Sequence, residues 1–433
     1  MAQSLLRNHR QISDIKNQAL AFFAIFNGEG IREIEEIQDD EDFRPQFQHD
    51  RDRIIHSRAF RRLKHKTQVF LSLEGDHYRT RLTHTLEVSQ MALTIARVFG
   101  LNEDVCESIA LGHDLGHTPF GHTGEYLLHQ IMTGQEILDG LIPEMIRFQL
   151  GGFKHNYQSL RVVDVLEKRY TYDGLNLTRQ VRIGILHHTR VKSDIHYPEI
   201  DPDLISPDYP LSLEAQVVAI ADEIAQQTHD LEDGLRSAIV SSREALELPI
   251  FETFPRHAYA QEGQIRNYMI RFLINRLVTD AIHQTQSRLQ AWLTEQGITS
   301  RKEFLEKREL LPRSIVSLSQ TVNDEYLELR HFVYQRIINS AQINRLEGKA
   351  KFFIGKLFKA YLNNPLQLPD YMLERYAADN HECCLRLQPF EQRQNYIQRY
   401  RQRKDFIRLI CDYIAGMTDS FAMDEFKKLY LPI

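Results

Sequence analysis

The sequence predicts an all-α fold, a helical catalytic core followed by an additional C-terminal helical region. Glycine and proline number only 20 and 14 in 433 residues, well under the roughly 12% of an average chain. Apolar residues recur at three- and four-residue intervals through long polar stretches, as in amphipathic helices. Strictly alternating strand patterns are rare; the 170–175 segment, with Asp173 and Gly174, could be a small turn or hairpin. Length alone suggests two or three domains, divided here as a lead-in (1–50), a core (51–245) and an accessory helical region (246–433).

The elements follow in order. The lead-in is helical and ends in an acidic stretch, 33–42. Arg58, Arg61, Arg62, Lys64 and Lys66 form a basic run, most of it a solvated helix face. Leu82, Leu86, Met91 and Ile95 recur at near-helical intervals and put His84 on an amphipathic helix. The apolar stretch 108–112 leads into His113-Asp114. Adjacent helical residues point about 100° apart. They can share one ion if the helix ends there, as Gly112 and Gly116 permit. Glycines and Pro119 then break the helical pattern, giving a turn-rich segment with His117, His122 and Glu125. Pro119 can open the next helix, which puts His122 and Glu125 on one face. The 197–210 stretch, rich in Pro and Asp, is a loop, either a lid or an ordered excursion. A third helix carries Asp222, and 264–293 and 322–346 are long helical stretches of the accessory region.

His84, His113, Asp114 and Asp222 supply two imidazoles and two carboxylates, a set that can close around one divalent metal. One ligand group per helix is a normal way to build such a site. Each residue alone has a plainer reading. A single His among 19 is usually a surface or satisfied core residue, and Asp222 could be a helix-surface carboxylate. His122 with Glu125 reads as a base with an orienting partner, or as a polar helix start favoured by the dipole.

Composition sets limits. A net charge of −6 argues against a generally basic nucleic-acid binder and leaves room for a local basic groove. Cys106, Cys383, Cys384 and Cys411 lack zinc-motif spacing and read as reduced thiols in a cytoplasm. No apolar run reaches about 18 residues, and the N-terminal residues lack a signal-peptide core. A cytoplasmic protein without membrane contact is the expectation.

Several stretches together resemble the bacterial deoxyguanosine triphosphate triphosphohydrolase family, a branch of the HD-domain metal-dependent phosphohydrolases. They are 52–70 (with Arg53, Ser57, Arg62, Gln68, Val69 and Phe70), 79–88 around His84, 113–125, 221–234 with Asp222 and Asp230, and 412–419 with Asp412, Gly416 and Asp419. The resemblance implies hydrolysis of a deoxynucleoside triphosphate to the deoxynucleoside and inorganic triphosphate, with attack at the α-phosphorus. It implies His84, His113, Asp114 and Asp222 as ligands of a divalent metal (Mg, Mn, Fe, Ni or Co). It implies His122 and Glu125 as the catalytic pair, with His117 beside them. Arg81 resembles a phosphate-contacting arginine, His117 and His155 resemble histidines that either support the metal ligands or face phosphate, and Gln68 and Asp230 resemble residues at the sugar 3′ hydroxyl. The family usually has tyrosine where this chain has Gln226, which puts discrimination against a 2′ hydroxyl in question. Relatives also imply a homo-oligomer (tetramer or hexamer) with the accessory region at its interfaces, a dNTP effector, and in some cases single-stranded DNA as a partner. The other readings are an HD phosphohydrolase acting on a different nucleotide, and a regulatory protein that binds nucleotide or single-stranded DNA.

Overall fold

The computed structural model describes residues 6–36, 42–68, 79–136, 138–192, 194–206, 208–255 and 262–432. Among these residues every regular element is a helix, and the β contacts are isolated bridges, Thr67 to Thr80 and Lys168 to Gly174. Val69 and Phe70 of the N-terminal signature lie outside the described residues.

The Leu213–Arg236 helix runs through the centre and packs on the helices Arg81–Phe99, Glu103–Gly112 and Arg179–His187. Its sequence explains its length. The Ser212 side chain caps its first turn by accepting from Ala215 N at 3.2 Å, satisfying a donor with no partner inside the helix. Val217, Val218, Ala221, Ile224, Ala225 and Leu231 are fully buried. Burial of each larger apolar side chain contributes roughly 1.5–3 kcal/mol.

The apolar interior groups into two clusters. The larger contains the buried faces of these helices and of Glu262–Glu295. The smaller joins the Gly121–Met132 helix, through Leu127, Leu128 and Ile131, to Ile354, Leu357 and Phe358 of the Ala341–Asn363 helix and to Ile407, Ile410 and Ile414 of Lys404–Ala415. His84, His113 and Asp222 thus stand on elements of one cluster, and His122 and Glu125 on an element of the other.

Several local expectations change. On the His84 helix, Leu86 is 51% exposed; the buried stripe runs through His84, Thr85, Val88, Ala92 and Ile95. Pro119 does not open the next helix. That helix starts at Gly121, and Phe120, with φ of 61°, is its N-cap. The 322–346 stretch is not continuous: helical turns end at Ile338 with Asn339 as the cap, and Ser340 caps Ala341–Asn363 by accepting from Ile343 N. The 170–175 segment is a bend closed by Gly174 N donating to Glu167 O at 2.8 Å. The 197–210 loop is a packed excursion, with Tyr197, Ile200 and Leu204 buried; Pro207 lies outside the described residues. In the basic run, Arg58, Arg61, Arg62 and Lys64 are exposed as expected, but Lys66 is buried.

Between Gly112 and Gly121 the chain turns against the His155–Arg161 helix. Gly116 N donates to Ser159 Oγ at 2.9 Å, and that hydroxyl donates to His113 O at 2.6 Å. A Cβ at Gly116 would collide with the backbone at His155, Gln158 and Ser159. Gly116→Ala is therefore expected to lower stability by about 3 kcal/mol, read as a lower urea midpoint. An unchanged midpoint would show that this approach has slack.

Candidate active site

The helix carrying Ser108 ends at Gly112, so His113 and Asp114 leave it in different directions. Arg81 is the first residue of its helix, one turn before His84. Its Nη1 donates to Asp114 Oδ2 at 2.8 Å with both side chains buried. Asp222 approaches from the central helix. His84 Nε2 lies 3.0 Å from Asp222 Oδ1 and 3.9 Å from Asp114 Oδ2. His113 Nε2 lies 3.4 Å from Asp114 Oδ1 and 3.6 Å from Asp222 Oδ1.

Proton positions follow from the partners. His113 Nδ1 donates to Ala110 O at 2.6 Å, because a carbonyl only accepts. In the neutral ring Nε2 is then a bare lone pair, and it has no hydrogen-bond partner. His229 Nε2 donates to Glu87 Oε2 at 2.5 Å, so its Nδ1 accepts from His84 Nδ1 at 3.1 Å. Burial lowers the His229 pKa to about 4, which keeps that ring neutral. His84 Nε2 is left as a lone pair facing a carboxylate oxygen. Acceptors facing acceptors in a buried place ask for a cation between them. Burial disfavours charge on His113, yet Asp114 and Asp222 outweigh it and raise its pKa to about 9. The two carboxylates therefore draw positive charge to this point. Ligand atoms about 2.1 Å from one shared ion stand about 3.0–3.4 Å apart, close to the separations here. His84, His113 and Asp114 gather closely enough to hold a divalent metal, Asp222, which faces both imidazoles, stands where it could join them, and the His84–His229–Glu87 chain fits the outer support that metal-binding imidazoles use.

His122 and Glu125 share a face as expected, but the carboxylate serves another residue more closely. Glu125 Oε2 is 2.8 Å from His155 Nδ1 and 3.6 Å from His122 Nδ1. His122 remains in its field. The surrounding protein disfavours the charged imidazole, and Glu125 more than offsets this, leaving the pKa raised. The His122 side chain is 56% exposed at the cleft mouth, with its Nε2 3.4 Å from the Gln226 amide nitrogen. His117 is buried, stacked on His155 at 3.9 Å, with Nε2 3.1 Å from Asp114 Oδ1.

Gln68 and His122 line one small open cleft together with Thr67, Phe120, Ile338, Leu346, Glu347 and Ala350. Gln68 Oε1, Arg81 Nη2 and Asp230 Oδ1 are buried without a partner. Burial, with Asp233 nearby, raises the Asp230 pKa to about 7, against the pull of His122 and Arg81. Sequence reasoning gave no role to Glu87, His188 or His229. Helical spacing was the available signal: Glu87 is three residues after His84, and His229 is seven after Asp222, on the same face.

The structure agrees with comparisons to known proteins. Residues 81–226 match the HD domain, and 316–428 match a phosphohydrolase-associated domain. A deoxyguanosinetriphosphate triphosphohydrolase-like protein of Geobacter sulfurreducens is 38% identical over 407 residues, covering 92% of this chain and 91% of the relative. Similarly named proteins of Thiobacillus denitrificans (38% over 393 residues, 89% and 91%) and Azoarcus sp. (37% over 396 residues, 89% and 90%) match as well. Among the described residues no helix is long and apolar enough to cross a membrane. The chain belongs to the deoxyguanosinetriphosphate triphosphohydrolase-like family of HD-domain phosphohydrolases.

Proposed function

We propose that this chain is a metal-dependent dNTP triphosphohydrolase that releases inorganic triphosphate and a deoxynucleoside. One observation carries the reading: Gln68 Oε1, Arg81 Nη2, His113 Nε2 and Asp230 Oδ1 are buried polar atoms without partners, and such atoms are costly unless a ligand completes them.

His84, His113, Asp114 and Asp222 would hold a divalent cation, which would supply Lewis-acid polarisation of a phosphoryl oxygen. The chain's residues do the rest. Hydrolysis joins a water oxygen to the α-phosphorus, and the 5′ oxygen leaves. His122 Nε2, at the cleft mouth, gives that oxygen its proton, the proton shed by the attacking water restores the imidazolium through solvent at the exposed mouth, and Glu125 favours the charged imidazole that the transfer requires. Arg81 answers the negative charge that grows on the phosphoryl oxygens. Gln68 and Asp230 take the sugar. An acceptor waiting for a 3′ hydroxyl rejects analogues that lack one, because it is then left unpaired. The apolar cleft beyond them suits a base. Glu347 at its edge complements the N1–H and exocyclic amine of guanine, which favours dGTP. Gln226 keeps a polar tip beside His122 but not a ring, so rejection of a 2′ hydroxyl is expected to be weaker than in a relative with tyrosine there.

Assaying each dNTP alone and in pairs, with triphosphate as the detected product, tests the reading. Turnover of dGTP ahead of the other dNTPs is expected; monophosphate release, or no turnover under any pairing, would sink it. His122→Ala is expected to lower kcat by about 10²–10⁴-fold while binding of a non-hydrolysable dGTP analogue is retained. Asp222→Ala should leave the His84–His113 site without metal by elemental analysis, and full occupancy there would remove Asp222 from the ligand set. Because His122 acts protonated and its pKa is raised, kcat should be lost as pH rises through that raised value. Glu125→Gln should move this limb to lower pH; an unmoved limb would assign the titration elsewhere.

A further inference from the structure

The last helix of the chain meets the cleft through one buried carboxylate. Asp419 opens the Asp419–Tyr430 helix and is 1% exposed. Its Oδ2 accepts from Thr67 N at 3.0 Å and from the Thr67 hydroxyl, and its Oδ1 accepts from Phe120 N at 2.9 Å. Thr67 and Phe120 are buried too, so no water replaces the carboxylate, and a buried donor left without a partner is costly.

Both anchored amides stand beside site residues. Gln68 follows Thr67, and His122 lies two residues after Phe120, in the first turn of the Gly121–Met132 helix. The two walls of the cleft also touch here. Phe120 and Gly121 both have positive φ, 61° and 59°, and a Cβ on Gly121 would come within 2.9 Å of Gln68 O. The connection before Asp419 is fastened to the same wall twice more. Lys66 Nζ donates to Ala415 O at 2.9 Å, and Arg62 Nη1 donates to Gly416 O at 2.8 Å. Lys66 O in turn accepts from Arg81 N at 3.1 Å. Residues 415–419, inside the segment that matches the phosphohydrolase-associated domain, are thus bonded to both sides of the cleft.

We propose that Asp419 is a positioning residue that holds Gln68 and His122 in register, so that the C-terminal region sets sugar recognition and proton delivery in one geometry. The inference rests on the roles proposed above for Gln68 and His122. Asp419 itself touches neither the sugar-facing side chain nor the imidazole; it acts through the two backbone amides. A misplacement of about 1 Å far from the chemistry can cost roughly 10²-fold in rate, and that gives such a residue its weight.

Asp419→Asn keeps the volume, but its NH₂ group must face a donor, so one of the two backbone bonds is lost. In the full chain, with melting curves confirming the fold, kcat/KM for dGTP is expected to fall by roughly 10–10²-fold. The preference for dGTP over 2′,3′-dideoxy-GTP should narrow by roughly tenfold, because the acceptor for the 3′ hydroxyl no longer meets it squarely. In a Gln68→Ala background Asp419→Asn should cost less than in the wild type, since both act through one contact. Thr67→Val keeps the backbone bond and removes only the hydroxyl's; it should narrow the dideoxy preference in the same direction, and it carries the test if Asp419→Asn does not fold. Hydrogen exchange, which needs no substrate, should quicken in Asp419→Asn across both 66–68 and 119–123. A lower kcat with an unchanged dideoxy preference would leave Asp419 a fold-holding residue and overturn the inference. Faster exchange in one segment alone would show that the walls are not joined, and overturn it too. No turnover by the wild type would remove the proposed activity instead, and exchange alone would then decide whether the two walls are joined.

Discussion

Burying the Arg81 guanidinium against the Asp114 carboxylate constrains almost everything around it. The two are 1% and 3% exposed and meet at 2.8 Å. Such charges are tolerated only as a pair, and removing one partner costs about 3–5 kcal/mol. Arg81 begins its helix, and Asp114 sits just past the end of another. The pair therefore fixes one helix start against one helix end, which sets where His84 stands. It also divides the work of Asp114: Oδ2 is held by Arg81, and Oδ1 is turned toward His113 and His117.

The turn that carries Asp114 and His117 is held from the far end of the chain. Lys66, fully enclosed, donates to His117 O and, at 2.9 Å, to Ala415 O. Asp419 accepts from Thr67 N at 3.0 Å and from Phe120 N at 2.9 Å. Phe120 is a bulky residue in the left-handed region, a conformation that costs free energy unless its surroundings impose it. Asp419 takes the amide of that strained residue just before the helix carrying His122 and Glu125. Gln68 follows Thr67 directly, so one carboxylate near the C-terminus ties together the Gln68 side and the His122 side of the cleft.

Much of this was legible in the sequence, and the limits are physical. His84 and Asp222 could be placed on helices because helical periodicity fixes a face, Asp230 only through the family resemblance, and the end of a helix at Gly112 could be read from local composition. Periodicity does not report depth, which is why Leu86 lies in the apolar pattern yet faces out, and why Lys66 lies in a basic run yet faces in. It also does not report pairing across elements. Glu125 looked like the partner of His122 because they are three residues apart, but His155, thirty residues on, comes closer. The role of His229 depends on which ring nitrogen a distant oxygen occupies. The break at Asn339 was hidden because the helical pattern runs through it; Ser340, a capping residue, was the one local sign.

The site is graded from rigid to adjustable. At its floor, His113, His188 and His229 each have a nitrogen committed to a backbone carbonyl or a carboxylate, so their protons and ring planes are fixed before any ligand arrives. Fixed dipoles need no reorganisation during reaction, and this is what makes them effective. At the mouth, His122 is half exposed and touches a side-chain amide instead of a carbonyl. An amide can present its NH₂ group to a neutral imidazole and its oxygen to a charged one. In the proposed reaction His122 must pass through both forms in each cycle, so Gln226 can accompany it through that change where a carbonyl, locked as an acceptor, would favour one form throughout.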